Sequence, residues 1–482
     1  MLRTGSSVAI RSTQCSINVR SFMTSPILCA KAPAPAKGGK KKVAFKPTKE
    51  QGVKTKKGGM THLPFRDAVG ALGFEKLATD FAKLELANVK YGEITPTKVF
   101  KYESENTLKT LGSFKKFQYH EMFLNPVTFV SENSVRLSEE FVSKLEGPSK
   151  DNRLCLLGEK GSGKSTLITQ AQALALSKHE NDILVLHIEN PEKVRNGSSD
   201  YIFNPKTKKY QQPMFTKRWI YKMRQANENL LKKMPLTRDI SFQSKRVDYN
   251  LKKRTNTLFD FLLHNHDFGK TIPTSAFTFF VEELEAHSKN IPILVSIDDF
   301  NSIIDQPITL YRHTDFTSIH LSEFEMGDFI LKVAGGQINF AKGGVLLAVK
   351  GDKKLSGKNL SVALKQEAHD PYSKTIDRGI VEALDKNGGI KAFSVNNLTK
   401  SETEQLLRFY QASGVLHVKD YATKDSYKSA EELGQEKAAI RAGKPDQTVF
   451  NSEEQFDKIV ENQYTVSTGN PGFLVQATAL SY

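Results

Sequence analysis

The chain has 482 residues, 25% of them charged and 39% hydrophobic, and a formal net charge of +16. That length gives room for two or three domains with ample core, and no apolar run approaches the length of a membrane span, so no integral membrane segment is expected. The cysteines, Cys15, Cys29 and Cys155, have neither the number of a disulfide framework nor the spacing of a zinc site.

In chain order, the first 49 residues contain no Asp or Glu, and MLRTGSSVAIRSTQCSINVRSFM is rich in Arg and Ser. Its longest early apolar run, Val8 to Ile10, is far too short for a secretory signal. This composition predicts a mitochondrial transit peptide over 1–22, cleaved after Phe22, and hence a location in the mitochondrial matrix. Residues 23–60, dominated by Ala, Pro, Gly and Lys from 31 onward, read as a basic disordered arm. Residues 1–60 carry 13 basic groups against one acid, Glu50, a local charge of +12. Over 61–150, FRDAVGALGFEKLATDFAKLELANV and SVRLSEEFVSKLEG have helical spacing among turns, giving a mostly helical region without chemistry of its own.

From 151 the pattern changes. The apolar runs RLCLL, DILVLHI, IPILVSIDD and GGVLLAV alternate with helical stretches, which predicts an α/β domain over 151–400 with a parallel sheet covered on both faces. After RLCLL comes GEKGSGKST, in which Gly158, Gly163, Lys164 and Ser165 fit the spacing G-x-x-x-x-G-K-[ST] of a phosphate-binding loop. Glycines let successive backbone N–H groups face inward on an anion, and the following helix points its positive end at it. Gly158, Glu159, Lys160, Gly161, Ser162, Gly163, Lys164, Ser165 and Thr166 are therefore the expected nucleotide contacts. Lys164 would reach the terminal phosphates, and the Ser165 hydroxyl would hold Mg2+. The strand ILVSIDDF ends in two acids. Asp298 is expected as the second metal ligand and Asp299 as the group that orients an attacking water; the alternative is that both merely cap a turn.

Between the two halves of this site lies a basic insertion, 200–255. Residues 206–254 carry 15 basic and 3 acidic groups, again +12, so everything outside the two basic blocks sums to −8. Tyr201, Phe203, Tyr210, Phe215, Trp219 and Tyr221 are interleaved with or adjacent to these cations. Cations neutralise phosphates and aromatics stack on unpaired bases, so RNA contact is expected, with Lys217, Arg218, Lys222 and Arg224 as candidate phosphate contacts. The alternative is a solvated amphipathic helix face with Trp219 in the core. From 401 to 482 the text reads as a mostly helical C-terminal lid. Turnover is expected to be slow at most. A motor ATPase would usually carry Glu where Asp299 stands, VLLAV runs into Lys350 rather than a polar sensor, and no arginine finger can be assigned.

Taken together, GEKGSGKST, YQQPMFTKRWIYKMRQANENLL, ILVSIDDFNSI, VNNLTKSETEQLLRFY and STGNPGFL resemble the death-associated protein family of the mitochondrial ribosomal small subunit, over roughly residues 150–480. The resemblance implies an AAA+-like fold and a bound guanine nucleotide, GTP or GDP, with ATP as the alternative. It implies a structural role in the head of the small subunit, against ribosomal RNA and neighbouring ribosomal proteins and near contacts to the large subunit. It also implies that Asn470 and Pro471, in the G-N-P element, lie by the purine. The competing readings are an active ATPase that remodels mitochondrial nucleic acid and a small-molecule kinase.

Overall fold

The computed structural model of the chain describes residues 82–86, 89, 99–123, 125–244, 247–264, 275–351, 357–373, 375–422, 427–429 and 448–478. The expected transit peptide and basic arm lie outside the described residues, as does most of the helix read over 65–89.

The centre is a parallel sheet of strands β1 Arg153–Leu157, β2 Leu184–Ile188, β3 Ile293–Ile297, β4 Gly343–Ala348 and β5 Lys391–Ser394, in the spatial order β5-β1-β4-β3-β2. The first four are almost wholly buried because they are runs of Leu, Ile and Val covered on both faces. Alternate residues serve opposite layers. Cys155, Leu186, Val295 and Leu347 join one core with Trp219, Phe280 and Phe324, whereas Leu154, Val185, Leu294 and Leu346 join another with Phe141, Leu167 and Phe393. Strand β5, KAFS, was not legible beforehand. It is an edge strand with only Phe393 buried, so it carries no continuous apolar run.

The flanking helices are α1 Glu105–Leu111, α2 Glu132–Glu140, α3 Lys164–Lys178, α4 Pro213–Ala226, α5 Ala276–His287, α6 Glu325–Ala334, α7 Lys400–Ala412, α8 Ser452–Ser467 and α9 Pro471–Thr478. Helix α3 is buried nearly all round, including its polar groups, which tie the segment 113–129 to the sheet. Ser113 donates to Gln172 (2.5 Å), Gln172 donates to Ser296 on β3 (2.7 Å), and Gln170 donates to Thr128 (2.6 Å) and to the Phe129 carbonyl (2.9 Å). Gln172, a buried amide that finds both partners, fixes register as well as contributing stability.

Helix α4 covers the β2 edge of the sheet. Trp219 is 6% exposed and donates its indole N–H to the His187 carbonyl (2.9 Å), and the Asn227 side chain pairs with both backbone groups of Val185 at 3.1 Å. Three of the edge's hydrogen-bonding groups are thus paired rather than left as a template for another chain. Around α4, the stretch 200–255 forms two antiparallel hairpins, one pairing Ile202–Asn204 with Lys209–Gln211 and the other Ile240–Ser244 with Val247–Leu251.

At the C-terminal end, α7, α8 and α9 share a small core of Leu407, Tyr410, Phe456 and Leu474. A capping box of Thr399 and Glu402 starts α7, and Glu402 also accepts from the Glu132 N–H at the start of α2 (2.9 Å). Asn133 pairs with both backbone groups of Asn396, so the C-terminal helices are anchored to α2 through side chains read into backbone.

Candidate functional site

Chain segments converge at the carboxyl ends of the strands, where a parallel sheet leaves its crevice. The loop from Gly158 to Gly163 joins β1 to α3. Gly163 is the helix N-cap at φ +94° and Gly161 lies at φ +87°, conformations open to glycine but strained for other residues. The N-terminus of α3 has no side-chain cap and no acid in its first turn, in contrast to the boxed start of α7. Its N–H groups and positive dipole end are thereby left for an anion.

Lys164 is 7% exposed and curls back onto its own loop, donating to the carbonyls of Gly158 (2.8 Å) and Glu159 (2.5 Å) and to the Ser162 hydroxyl (3.3 Å). Burial lowers its pKa, against the opposing pull of Asp298, Asp299 and Glu159. The loop therefore holds a partly desolvated ammonium inside the curl, beside the helix end.

Across the cleft, β3 is followed directly by Asp298 and Asp299. Asp298 is 3% exposed, and its Oδ1 accepts from the Asp299 N–H (3.0 Å). Asp299 sits at φ +63°, an uncommon conformation for a residue with a Cβ. Burial and then the neighbouring Asp298 raise its pKa, with Lys115 and Lys350 pulling the other way. The acid pair is met by Lys115, from the segment tied to α3, whose Nζ stands 2.5 Å from Asp298 Oδ2 and 3.3 Å from Asp299 Oδ2. Burial works to lower the Lys115 pKa, but the two carboxylates outweigh it and leave it raised.

The turn after the acids is fastened to the end of β4. Asn301 accepts from the Lys350 N–H (2.7 Å) and donates to the Lys350 carbonyl (3.1 Å). Gly351 then packs so tightly on the loop that a Cβ there would lie 2.3 Å from the Lys160 nitrogen. Lys350 itself pairs with Glu192 at 3.5 Å.

The C-terminal helices close the other side. Asn470 is fully buried and donates to the Lys160 carbonyl (3.0 Å), and its Oδ1 accepts from the Gly472 N–H (3.1 Å). Gly472 in turn donates to the Gly161 carbonyl (2.9 Å). Between these walls lies a cleft of about 850 Å³, lined by the loop, Lys115, Asp299, Lys350, Pro471 and an aromatic side made by Phe114, Phe123, Phe409, Tyr410 and Phe473. Its volume falls in the range of small-molecule sites.

Of the sequence-predicted residues, this cleft brings together Lys160, Gly161, Ser162, Gly163, Lys164, Ser165, Thr166, Asp299 and Pro471, with Asp298 and Asn470 buried directly behind its walls. The donors fit a magnesium nucleotide: a cationic glycine loop, a helix N-terminus and a hard carboxylate oxygen set, with few protein ligands as magnesium prefers. Lys115 was missed. Nothing in SFKKF marks one lysine over the next; only the docking of 113–129 on α3 selects it.

The four cations expected to meet RNA lie on α4 and differ from one another. Lys222 is paired with Glu189 (2.7 Å). Arg224 donates to the Leu262 carbonyl (3.4 Å) and lies 5.7 Å from the Tyr221 and Phe259 ring centres. Lys217 and Arg218 rim a second groove of about 700 Å³ beside Met214 and Tyr221, and Arg218 is exposed. Of the interleaved aromatics, Trp219 is core, whereas Tyr201, Phe203 and Tyr221 are exposed.

These features define a parallel α/β protein with a glycine-rich loop facing an acidic strand end. Residues 128–477 match the family described as mitochondrial ribosomal death-associated protein 3, and the chain belongs to that family. Among its relatives, the small ribosomal subunit protein mS29 of Schizosaccharomyces pombe is 25% identical over 348 residues, covering 68% of this chain and 70% of the relative. The protein of the same name in Neurospora crassa is 24% identical over 343 residues, covering 68% and 69%.

Proposed function

We propose that this chain is a structural component of the small subunit of the mitochondrial ribosome, in the matrix, and that it holds a purine nucleotide as an internal brace. Family membership over residues 128–477 carries the ribosomal part, and the names of the two relatives support it. The nucleotide part rests on one observation: an uncapped helix N-terminus and a curled-in lysine face an acid pair, buried Asp298 and half-buried Asp299, across a cleft of about 850 Å³.

In this reading 151–400 is an AAA+-like phosphate-loop domain and 401–482 its helical lid. Backbone N–H groups of 158–166 and Lys164 would hold the phosphates of GTP or GDP, Ser165 and Asp298 would hold Mg2+, and Asn470 and Pro471 would lie by the purine. Mg2+ would neutralise phosphate charge there. Asp stands at 299 where a motor ATPase would usually carry Glu, and VLLAV runs into Lys350 rather than a polar sensor, which supports retention over turnover. Nucleotide bound only by the folded state stabilises it in proportion to the logarithm of its concentration over Kd. The surplus positive charge of 206–254 supports contact with the ribosomal RNA, with Lys217 and Arg218 as its leading edge.

The test has two parts. The tagged chain from a mitochondrial lysate should sediment with the small ribosomal subunit, and the purified protein should release guanine nucleotide on denaturation. A chain found only in free fractions would overturn the ribosomal reading; protein purified without nucleotide and unable to take it up would overturn the other.

A further inference from the structure

We propose that Lys115 is a counter-cation built into the cleft, and that it and a divalent metal ion exclude one another at Asp298. The inference rests on the reading of this cleft as a metal–nucleotide site, and concerns what the chain does when the metal is absent.

Two adjacent carboxylates at a buried strand end repel one another and have lost most of their hydration. An uncompensated charge in such a place is strongly destabilising, so a cation is required. Lys115 supplies it from a fixed position. Ser113, two residues before it, donates to Gln172 and accepts from Thr169 through its carbonyl (3.1 Å), so the ammonium is delivered from a backbone held against α3. Its side chain is 23% exposed, and that of Asp298 4%, so water screens the pair weakly.

Both oxygens of Asp298 already have donors: Oδ1 takes the Asp299 N–H and Oδ2 takes Lys115 Nζ. A divalent ion that bonds this carboxylate must approach within a few ångströms of the ammonium, where two cations in a poorly screened site repel. Metal entry is therefore an exchange. The ion displaces Lys115, and the freed ammonium lies in the same cleft as Lys164, able to answer the phosphate charge. The segment 114–123, which lines the cleft through Phe114 and Phe123, would be the part of the chain that feels the exchange.

The experiment uses the full chain freed of nucleotide and titrates it with Mn2+, read by the loss of the free-ion electron paramagnetic resonance signal. Lys115→Met should bind one Mn2+ about tenfold or more tightly than the wild type. Adding Asp298→Asn should abolish that gain, and Lys115→Arg, which keeps the charge, should stay near wild type. Equal Mn2+ affinity in the wild type and Lys115→Met, or a gain that survives Asp298→Asn, would overturn the proposal.

Because Lys115→Met removes the cation in contact with the two acids, it is also melted with and without Mg2+, and rescue of its folding by the ion counts in favour. Should it fail to fold, the wild type decides: mass-spectrometric acylation of Lys115 should speed up when Mg2+ is added, and an unchanged rate would sink the idea. A parallel titration with a fluorescent guanine nucleotide keeps the two readings apart. Failure of nucleotide to bind, with the Mn2+ result intact, removes the nucleotide and leaves the counter-cation.

Discussion

The buried amide of Asn470 donates to the carbonyl of Lys160, joining residues 310 positions apart in the chain and fastening the start of the last helix onto the glycine loop. The contact puts the loop's shape under the control of the C-terminal helices. Asn470→Ala removes the donor and leaves a carbonyl unpaired, a change worth about 1–3 kcal/mol. The expected result is a lower melting temperature together with faster release of bound nucleotide, measured on the same preparation. A melting change without a change in release would separate the helix dock from the site.

Gly472 tests the same seam sterically. A Cβ there would lie 2.7 Å from the Gly161 Cα, backbone against backbone, so nothing flexible can yield. Gly472→Ala should therefore disturb the loop more than Gly163→Ala disturbs it by crowding, since a Cβ at 163 meets nothing within 4 Å and suffers only its positive φ. Nucleotide content of the two purified variants is the measurement.

Lys164 has loop oxygens as partners in this state, and phosphate in the proposed one. Lys164→Ala should abolish nucleotide retention, because the helix N-terminus alone supplies only partial charge. Retained nucleotide at the wild-type level would mean that the loop is held for structural reasons.

Glu325, which does not line the cleft, gives a pH test. Burial raises its carboxyl to about 7, with the Gln211 hydrogen bond and Lys209 opposing. The folded state thus binds more protons than the unfolded state between about pH 4.5 and about pH 7, so this group's contribution makes stability fall as pH rises through that window. Glu325→Gln should raise the melting temperature relative to wild type at pH 8 and do so much less at pH 5. A uniform shift at both values would show that the carboxyl does not titrate there.

On α4, charge reversal should divide the four cations. Lys222→Glu breaks the ion pair with Glu189 and should lower stability before any partner is present. Arg218→Glu should leave folding unchanged, yet weaken association with the small subunit most at low salt and less as salt is raised, because a lost phosphate contact lowers the number of counterions released. Sedimentation at two salt concentrations distinguishes them.

The sequence by itself determined the local parts. RLCLL, LVLHI, ILVSI and GGVLLA read as buried strands because burial on both faces demands unbroken apolar runs. The glycine spacing marked the loop because backbone curvature is encoded within a few residues, whereas the amphipathic spacing around Trp219 offered its burial only as the alternative to RNA contact. Only the tertiary structure decided the rest. It placed β4 between the loop strand and the acidic strand, chose KAFS as the fifth strand, brought Lys115 to Asp298, and set Gly472 on Gly161. Each of these is a pairing between segments distant in sequence. Their residues carry no periodic signal, since what selects them is the space and charge left by other elements once those have packed.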